Sequence, residues 1–272
     1  MRGASAMTLA WGLYLLLGAV AGVLAGLLGV GGGLVLVAAL VWLLPTQGVP
    51  ADQAVHVALA TALGSILLTG LSSANAHRRR GSVLWPTVRW LVPGLLLGGW
   101  LGSALATRLD GDWLRGFIAV YCWLAALQLM LGWPRARDET TAAPRGPGWS
   151  AVGAGIGGIS ALVGIGGGSM TVPVLVWRGV RPVLAVGTSS ACGVAIALAS
   201  AAGYAFHGPA PGALPAGSWG YVYLPAAAGI ALASVLTAPL GTRIAHAISG
   251  KALKRVFAAF LAVAGTSVWW GG

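Results

Sequence analysis

Two runs of three glycines form the pattern in this sequence that most clearly predicts chemistry. Gly31 to Gly33 and Gly166 to Gly168 each interrupt an apolar stretch, and Ser169 directly follows the second run. A helix interrupted in apolar surroundings leaves N–H groups free at one half-helix, and glycine adopts the φ and ψ values that such a turn needs. Free N–H groups and the helix dipole together favour a negative charge. The two runs therefore predict an anion site made largely of backbone.

Hydroxyl side chains near these runs can donate hydrogen bonds to an oxyanion without bringing a charge. Thr188 to Ser190 lies at the start of a later apolar segment, and Thr61 and Ser65 lie in the matching earlier segment. Each hydroxyl could instead bond to its own helix or to a neighbouring helix. The predicted substrate-binding residues are Gly31, Gly32, Gly33, Thr61, Ser65, Gly166, Gly167, Gly168, Ser169, Thr188, Ser189 and Ser190.

The composition excludes an ordinary soluble protein. Of 272 residues, 57% are hydrophobic and only 8% are charged, and the mean hydropathy is +0.85. Asp52 is the only charged residue between Arg2 and Arg78, and none lies between Arg181 and Arg243. Such stretches must pair all their backbone polar groups internally, as helices or a closed barrel, and barrel strands would alternate apolar and polar residues. The sequence therefore predicts an all-α, polytopic helical membrane protein.

The apolar segments contain no Asp or Glu. Acidic residues are the groups that usually carry protons or bind cations within membranes. Their absence disfavours a carrier of metal ions or organic cations, and we expect no metal site and no cofactor. No nucleophile, base and orienting acid occur together in a plausible pocket, so an enzyme is not expected.

The chain contains two copies of one unit. Residues 29–33 return as residues 164–168 at an offset of 135, and the similarity extends to Trp42 and Trp177. We predict a first repeat over residues 1–133, a polar cytoplasmic linker over 134–149 and a second repeat over 150–272. Each repeat has five apolar segments. They are predicted at 8–28, 34–44, 54–76, 84–106, 113–132, 150–163, 169–177, 183–206, 219–241 and 252–270.

The segment lengths and the loop charges together predict the topology. A span needs about 20 apolar residues, so the third, fourth and fifth segments of each repeat are predicted to cross. The short second segment is predicted to be half of a helical hairpin that is broken at the triple glycine and that enters and leaves on one side. This arrangement puts 13 of the 16 Lys and Arg residues on one face, which is then cytoplasmic, and it makes the two repeats inverted with both termini outside. The net charge of +11 is thus an orientation signal and does not predict nucleic-acid binding.

Two other series of glycines are predicted to serve helix packing rather than binding. Glycines at four-residue spacing let two membrane helices approach closely. The two series are Gly18, Gly22 and Gly26, and Gly94, Gly98 and Gly102.

The elements LLGVGGG at 27–33 and LVGIGGG at 162–168, with GTSSA at 187–191, resemble the sulfite exporter TauE/SafE family of bacterial membrane permeases. The resemblance covers nearly the whole chain. It implies an inner-membrane carrier of sulfite or small organosulfonates, usually an exporter, in which the glycine hairpins meet at the centre of the membrane. It also implies that the glycine runs and Thr188 to Ser190 surround the substrate. Because Ala60 and Ala62 flank Thr61 where Gly187 and Ser189 flank Thr188, an asymmetric site is expected.

The sequence thus predicts export of a small anion, sulfite or a small organosulfonate, by alternating access across the bacterial inner membrane. Two alternatives remain open. One is a membrane assembly protein that transports nothing and binds a partner helix through the glycine series. The other is an uncoupled anion channel built on the same site. The coupling ion, the direction of transport and the oligomeric state, with a homodimer as one arrangement, are also open.

Overall fold

The computed structural model describes residues 2–28, 32–132, 143–245 and 250–270. Within these ranges the chain forms ten α-helices, one short 3-10 helix and one two-stranded antiparallel β-hairpin. The helices are α1 Arg2–Leu28, α2 Gly33–Leu43, α3 Ala54–Arg79, α4 Trp85–Ala106, α5 Gly111–Leu131, α6 Gly148–Val163, α7 Gly168–Trp177, α8 Pro182–Phe206, α9 Leu224–Ala245 and α10 Gly250–Trp270. The 3-10 helix is Leu44–Gln47, and the strands are β1 Ser218–Trp219 and β2 Val222–Tyr223. The predicted all-α membrane architecture is confirmed.

Six helices within the described residues are long and apolar enough to cross a membrane. Five belong to the predicted set: α3, α4, α5, α8 and α9. The sixth is Leu9–Leu27 in α1, which continues unbroken to the glycine run, whereas the described apolar part of α10 is the shorter stretch Ala258–Trp270.

The predicted start of the apolar segment at 219 is wrong, because α9 begins at Leu224. The preceding residues form the β-hairpin, in which Ser218 pairs with Tyr223 and Trp219 with Val222. Gly220 lies between the strands with a φ of 52°, which allows the tight turn. An aromatic, apolar sequence here therefore forms strands and not the first turn of a helix.

The helix ends gather at two ends of the molecule. The Arg-rich end carries Arg78, Arg79, Arg80, Arg178, Arg181 and Arg243, and the β-hairpin end carries β1 and β2. Arg178, after α7, lies over the ring of Trp149 at the start of α6, with 5.7 Å from guanidinium carbon to ring centroid. Hence α6 begins and α7 ends at the Arg-rich end. Trp42 near the end of α2 donates to Ser267 Oγ of α10 at 3.0 Å, and Trp11 of α1 contacts Gly229 near the start of α9, so α1 begins and α2 ends at the β-hairpin end.

The helix pairs have defined directions. Helices α3 and α8 are antiparallel, since Gly70 lies against Val194 and Ser73 against Ser190, and α5 and α10 are antiparallel as well. Helices α1 and α9 run parallel, and so do α4 and α6. Among the candidate spans α3 is the most buried, followed by α8, so these two helices form the centre of the molecule.

Both glycine series lie at the parallel helix pairs, which confirms their predicted packing role. A methyl group on Gly22 would overlap Thr237 of α9, and one on Gly98 would overlap the carbonyl oxygen of Ala154 in α6. Only glycine allows the backbones to approach this closely. Large apolar side chains such as Leu236 and Val263 point outward, as expected for a surface that faces lipid.

Candidate functional site

The two glycine breaks touch each other inside the protein. A methyl group on Gly33, the first residue of α2, would overlap the carbonyl oxygen of Gly164 and lie 2.9 Å from Ile66 Cδ1. Gly32, Gly164 and Gly167 have φ values of 65°, 74° and 72°, a region that side-chain-bearing residues rarely adopt. Each break therefore requires glycine both for its backbone conformation and for the close approach.

The breaks lie about halfway along the two central helices. Gly33 lies against Ile66, near the middle of α3, and the carbonyl oxygen of Gly166 lies against Gly193, near the middle of α8. A methyl group on Gly193 would be 2.8 Å from that oxygen. Because α3 and α8 are candidate membrane spans, the breaks lie deep between the two ends of the protein.

A cavity of about 10 Å³ lies beside the second break. It is lined by Ala25, Ile66, Gly70, Ser73, Gly166, Ser190 and Gly193. Ser73 Oγ donates to Ser190 Oγ at 3.3 Å, and Ser190 Oγ donates to the carbonyl oxygen of Val186 at 3.1 Å. Of the predicted site residues, this cavity brings together Gly166 and Ser190. Its volume is about that required by one water molecule.

Two predicted site residues, Thr61 and Thr188, hold the starts of other helices. Thr188 Oγ1 accepts the N–H of Leu84, directly before α4, at 3.0 Å. Thr61 Oγ1 accepts the N–H of Tyr223, directly before α9, at 3.0 Å. Both threonines are fully buried. Their hydroxyls therefore cap helices that pack against their own, and they are engaged with backbone in this structure.

The other predicted residues occupy varied positions. Ser65 Oγ donates to the carbonyl oxygen of Ala62 in its own helix at 2.7 Å, and Ser169 Oγ shares a 2.5 Å hydrogen bond with the hydroxyl of Tyr121. Gly168 is the buried first residue of α7, and Ser189 is buried in α8. Gly31 lies outside the described residues.

Four buried hydroxyls near the second break were not predicted from the sequence. Ser73 lines the cavity, and Ser160, Thr171 and Ser200 are buried with hydroxyl oxygens that have no hydrogen-bond partner among the described residues. The sequence holds a signal for Ser73, because Thr61, Ser65, Thr69 and Ser73 recur every four residues and so lie along one face of α3. No comparable signal marks Ser160, Thr171 or Ser200.

A larger open depression, about 640 Å³, lies at the β-hairpin end. Its charged residues are Asp52, Arg108, Asp110, Asp112 and Arg115, and Arg115 forms an ion pair with Asp112 at 3.0 Å. Tyr221 lies in the same depression, where burial, with Asp52 as a lesser cause, raises the pKa of its hydroxyl. The depression is therefore mixed in charge, in contrast to the uncharged surroundings of the glycine breaks.

The described residues around the breaks offer amide N–H groups, carbonyl oxygens and hydroxyls, and none of the residues that line the cavity is charged. No group of three His, Cys, Asp or Glu that could hold a metal occurs within the described ranges. Neutral donors of this kind can bind the oxygens of a small anion by hydrogen bonds.

The comparisons with known proteins agree on one family. The model of the family described as "Sulfite exporter TauE/SafE" matches residues 14–268. A probable membrane transporter protein of Haemophilus influenzae is 36% identical over 252 residues, covering 92% of this chain and 95% of its own. A probable membrane transporter protein of Xylella fastidiosa is 29% identical over 194 residues, 70% of this chain and 72% of its own. The probable membrane transporter protein YunE of Bacillus subtilis is 28% identical over 180 residues, 60% of this chain and 66% of its own.

No solved structure is significantly similar to this chain. The family match nevertheless extends over nearly the whole chain and includes both glycine breaks. The resemblance carried by LLGVGGG and LVGIGGG is thereby confirmed, and the chain belongs to the sulfite exporter TauE/SafE family.

Proposed function

We propose that this multi-pass membrane protein exports a small oxyanion, sulfite or a small organosulfonate, by alternating access. The observation that carries the proposal is the contact between two glycine breaks halfway along the central helices. Membership of the sulfite exporter family and relatives named as probable membrane transporters support transport. A site of amides and hydroxyls without acidic groups suits an anion.

The mechanism that we propose depends on two inverted repeats, the first ending near residue 133 and the second beginning near residue 150. In support, α3 and α8, which would be equivalent, run antiparallel, and so do α5 and α10. The contacts between the proposed repeats are also equivalent. Helix α1 packs on α9, and α6, the counterpart of α1, packs on α4, the counterpart of α9. Thr61 and Thr188 hold the starts of α9 and α4 through the same kind of hydrogen bond. Carriers of this design rock one unit against the other around a central site.

The proposed site comprises the glycine breaks with the hydroxyls beside them. Helix α7 begins at Gly168, so its first N–H groups and the positive end of its dipole lie at the second break. Ser160, fully buried and without a partner among the described residues, faces the same point, since a methyl group on Gly167 would lie 3.5 Å from its Oγ. An anion at this place would accept hydrogen bonds from both backbone and hydroxyl.

The size of the cavity supports a mechanism with moving parts. A volume of about 10 Å³ suits one water molecule and is too small for an anion with three oxygens. The substrate can therefore occupy this place only if the packing around the breaks opens. Alternating opening toward each end would satisfy this requirement.

Transport of radioactive sulfite by purified protein in lipid vesicles tests the proposal, with Gly167→Ala as the variant. Gly167 has a φ of 72°, and a methyl group there would overlap Ile196 Cδ1, whereas a methyl group on Gly155 of α6 would touch nothing within 4 Å. We expect at least a tenfold loss of sulfite flux for Gly167→Ala and parental flux for the control Gly155→Ala. Equal flux in both variants would reject the site at the second break.

The same vesicles separate the alternatives. Conductance far beyond carrier turnover would indicate an uncoupled anion channel. A stoichiometric membrane partner that copurifies with a protein showing no flux would indicate an assembly role. Because Thr188 holds the N–H of Leu84, Ser190→Ala is a better probe of the hydroxyls than Thr188→Val.

A cellular assay tests the substrate. Cells that express the protein should tolerate more sulfite in the medium than cells that express Gly167→Ala at the same level. Equal tolerance would count against sulfite as the exported anion, while leaving other small sulfonates to be measured in vesicles.

A further inference from the structure

We infer that Ser160 and Ser200 form a second binding position for the transported oxyanion, on the β-hairpin side of the second glycine break. The inference rests on the proposed function, because it assigns these hydroxyls to the same substrate. It joins Ser160, which faces the second break, to Ser200, which the proposed site does not include, and it predicts that the site has one position toward each end of the protein.

The first observation is the unpaired state of both hydroxyls. Ser160 and Ser200 are fully buried, and neither Oγ has a hydrogen-bond partner among the described residues. Buried hydroxyls in proteins are nearly always paired, since an unpaired one costs stability. Other buried serines follow the rule: Ser103 donates to Trp100 and Ser65 to Ala62. Among the described buried serines Ser160 and Ser200 are the two exceptions, and the buried hydroxyl of Thr171 is unpaired as well. The inference assigns the transported oxyanion as the partner of the two serine hydroxyls.

The second observation is the position of Ser160. It lies on α6 one turn before the second break, and the carbonyl oxygen of Ser160 accepts the N–H groups of Gly164 and Ile165, which fixes the turn. Its Oγ lies 3.5 Å from the place that a methyl group on Gly167 would occupy. Gly167 directly precedes α7, a helix of ten residues. A donor hydroxyl thus faces the N-terminus of a helix, where an anion is favoured.

Ser200 lies farther along α8, toward the β-hairpin end. It is seven residues beyond Gly193, which lines the cavity, and this separation corresponds to about 10 Å of helix. Its Oγ faces α4, where a methyl group on Gly99 would lie 2.9 Å away. Gly157 of α6 is also adjacent to Gly99. Ser200 therefore lies where α4, α6 and α8 meet at residues without side chains.

The third observation is the correspondence between the repeats. At the offset of 135 that aligns the glycine runs, Ala25 corresponds to Ser160. The alignment of Thr61 with Thr188 makes Ser73 the counterpart of Ser200. Ala25 and Ser73 both line the observed cavity. When each of these cavity residues is replaced by its counterpart in the other repeat, the result is the position lined by the two unpaired serines. Two inverted repeats would open one of these two positions to each end of the protein in turn.

The chemistry of the inferred position defines its ligand class. Hydroxyl donors and helix N–H groups bind ligands with acceptor oxygens and a negative charge, and they offer nothing to a cation. The cavity on the other side offers Ser73 and Ser190, so each of the two positions presents two hydroxyls to an oxyanion.

The first test combines stability with transport for Ser160→Ala and Ser200→Ala, with Ser103→Ala as control. We expect each of the first two variants to raise the KM for sulfite about tenfold, the usual effect of losing one hydrogen bond to a charged ligand. The melting temperature in detergent should stay the same or rise, because an unpaired buried hydroxyl has been removed. Ser103→Ala should keep the parental KM. A fall in melting temperature with an unchanged KM would show a structural role and overturn the inference.

The second test does not depend on the substrate. In a background of Cys122→Ala and Cys192→Ala, Ser200→Cys and Ser73→Cys are treated with 2-sulfonatoethyl methanethiosulfonate, a small anionic thiol reagent. The exposed loop variant Ala213→Cys marks the side of the β-hairpin end. Ser200→Cys should react when the reagent is added on that side, and Ser73→Cys should react when the reagent is added on the opposite side. Reaction of Ser200→Cys from the Arg-rich side alone, or from neither side, would contradict the inference.

The two tests also separate this inference from the proposed function. If the parent carries no sulfite, the proposed substrate is wrong, and the labelling pattern alone decides whether the position exists. If the parent carries sulfite, Ser160→Ala and Ser200→Ala keep the parental KM and Ser200→Cys does not react from the β-hairpin side, the inference is wrong and the proposed function stands.

Discussion

Thr61 and Thr188 lie at opposite ends of the molecule and each accepts a backbone N–H that precedes a helix. Valine has nearly the same shape but no acceptor, so Thr61→Val and Thr188→Val each leave one N–H unpaired. We expect each variant to lower the free energy of unfolding by about 1 kcal/mol, measured by unfolding in mixed detergent micelles. Thr46→Val is the control, because its hydroxyl bonds to Leu43 within an exposed turn, and its effect should be much smaller. No loss in either buried variant would contradict the capping role.

The residues of the candidate site were predictable only in part. The glycine runs stand out because three glycines in succession have no role in ordinary helix packing, and Ser190 lies beside the cavity as part of a polar cluster. Thr188 belongs to the same cluster but caps α4, since a sequence does not reveal which backbone group reaches a hydroxyl. Ser160 and Ser200 are single serines in apolar helices, and their unpaired state depends on how α6, α7 and α8 pack.

At the scale of the helix, the glycine series determine how closely two parallel pairs approach. A methyl group on Gly94 would overlap the carbonyl oxygen of Ser150, and one on Gly26 would overlap that of Ala238. We expect Gly94→Ala and Gly26→Ala to lower the free energy of unfolding by about 1–3 kcal/mol through overpacking. The control Gly155→Ala meets no neighbour and should be neutral or slightly stabilising, since alanine favours helix. Equal stability of all three variants would show that the helices separate without cost.

The elements themselves were largely predictable, because apolar length dominates in a membrane. Five of the six candidate spans lie where apolar runs of about 20 residues occur. The β-hairpin was missed because Trp219, Tyr221 and Tyr223 read as the start of an apolar helix. The turn signals, Gly217 and Gly220, were present and outweigh apolar character at a segment end.

At the scale of the whole molecule, the decisive contacts join residues that are distant in sequence. Helix α1 packs on α9, and Gly33 reaches Gly164, so helices from the first half of the sequence pack on helices from the second half. Periodicity reports which face of a helix is apolar but not which helix covers it. The repeat and the loop charges predicted two related units, whereas the identity of the partners required the structure.

The distribution of charge over the two ends predicts the orientation in the cell. The Arg-rich end should face the cytoplasm. A membrane-impermeant maleimide should label Ala213→Cys, in the exposed segment before β1, on intact cells, and should label Arg79→Cys only after permeabilisation. Native Cys122 and Cys192 are buried, so the background should be low. Labelling of Arg79→Cys on intact cells, with Ala213→Cys labelled only after permeabilisation, would show that the β-hairpin end faces the cytoplasm.

Membrane voltage bears on the direction of transport, because the apolar segments contain no acidic residue that could carry a coupling ion. An anion that leaves a compartment with a negative potential moves down the electrical gradient, worth about 2.3 kcal/mol per charge at 100 mV. Export can thus proceed without a coupled cation. We expect sulfite efflux from vesicles to rise several-fold when a potassium diffusion gradient makes the lumen negative, and to fall when the gradient is reversed. The protein should show this response with Gly155→Ala and lose it with Gly167→Ala. Efflux that is the same at both voltages would show that each cycle moves no net charge, and a compensating ion would then have to be sought.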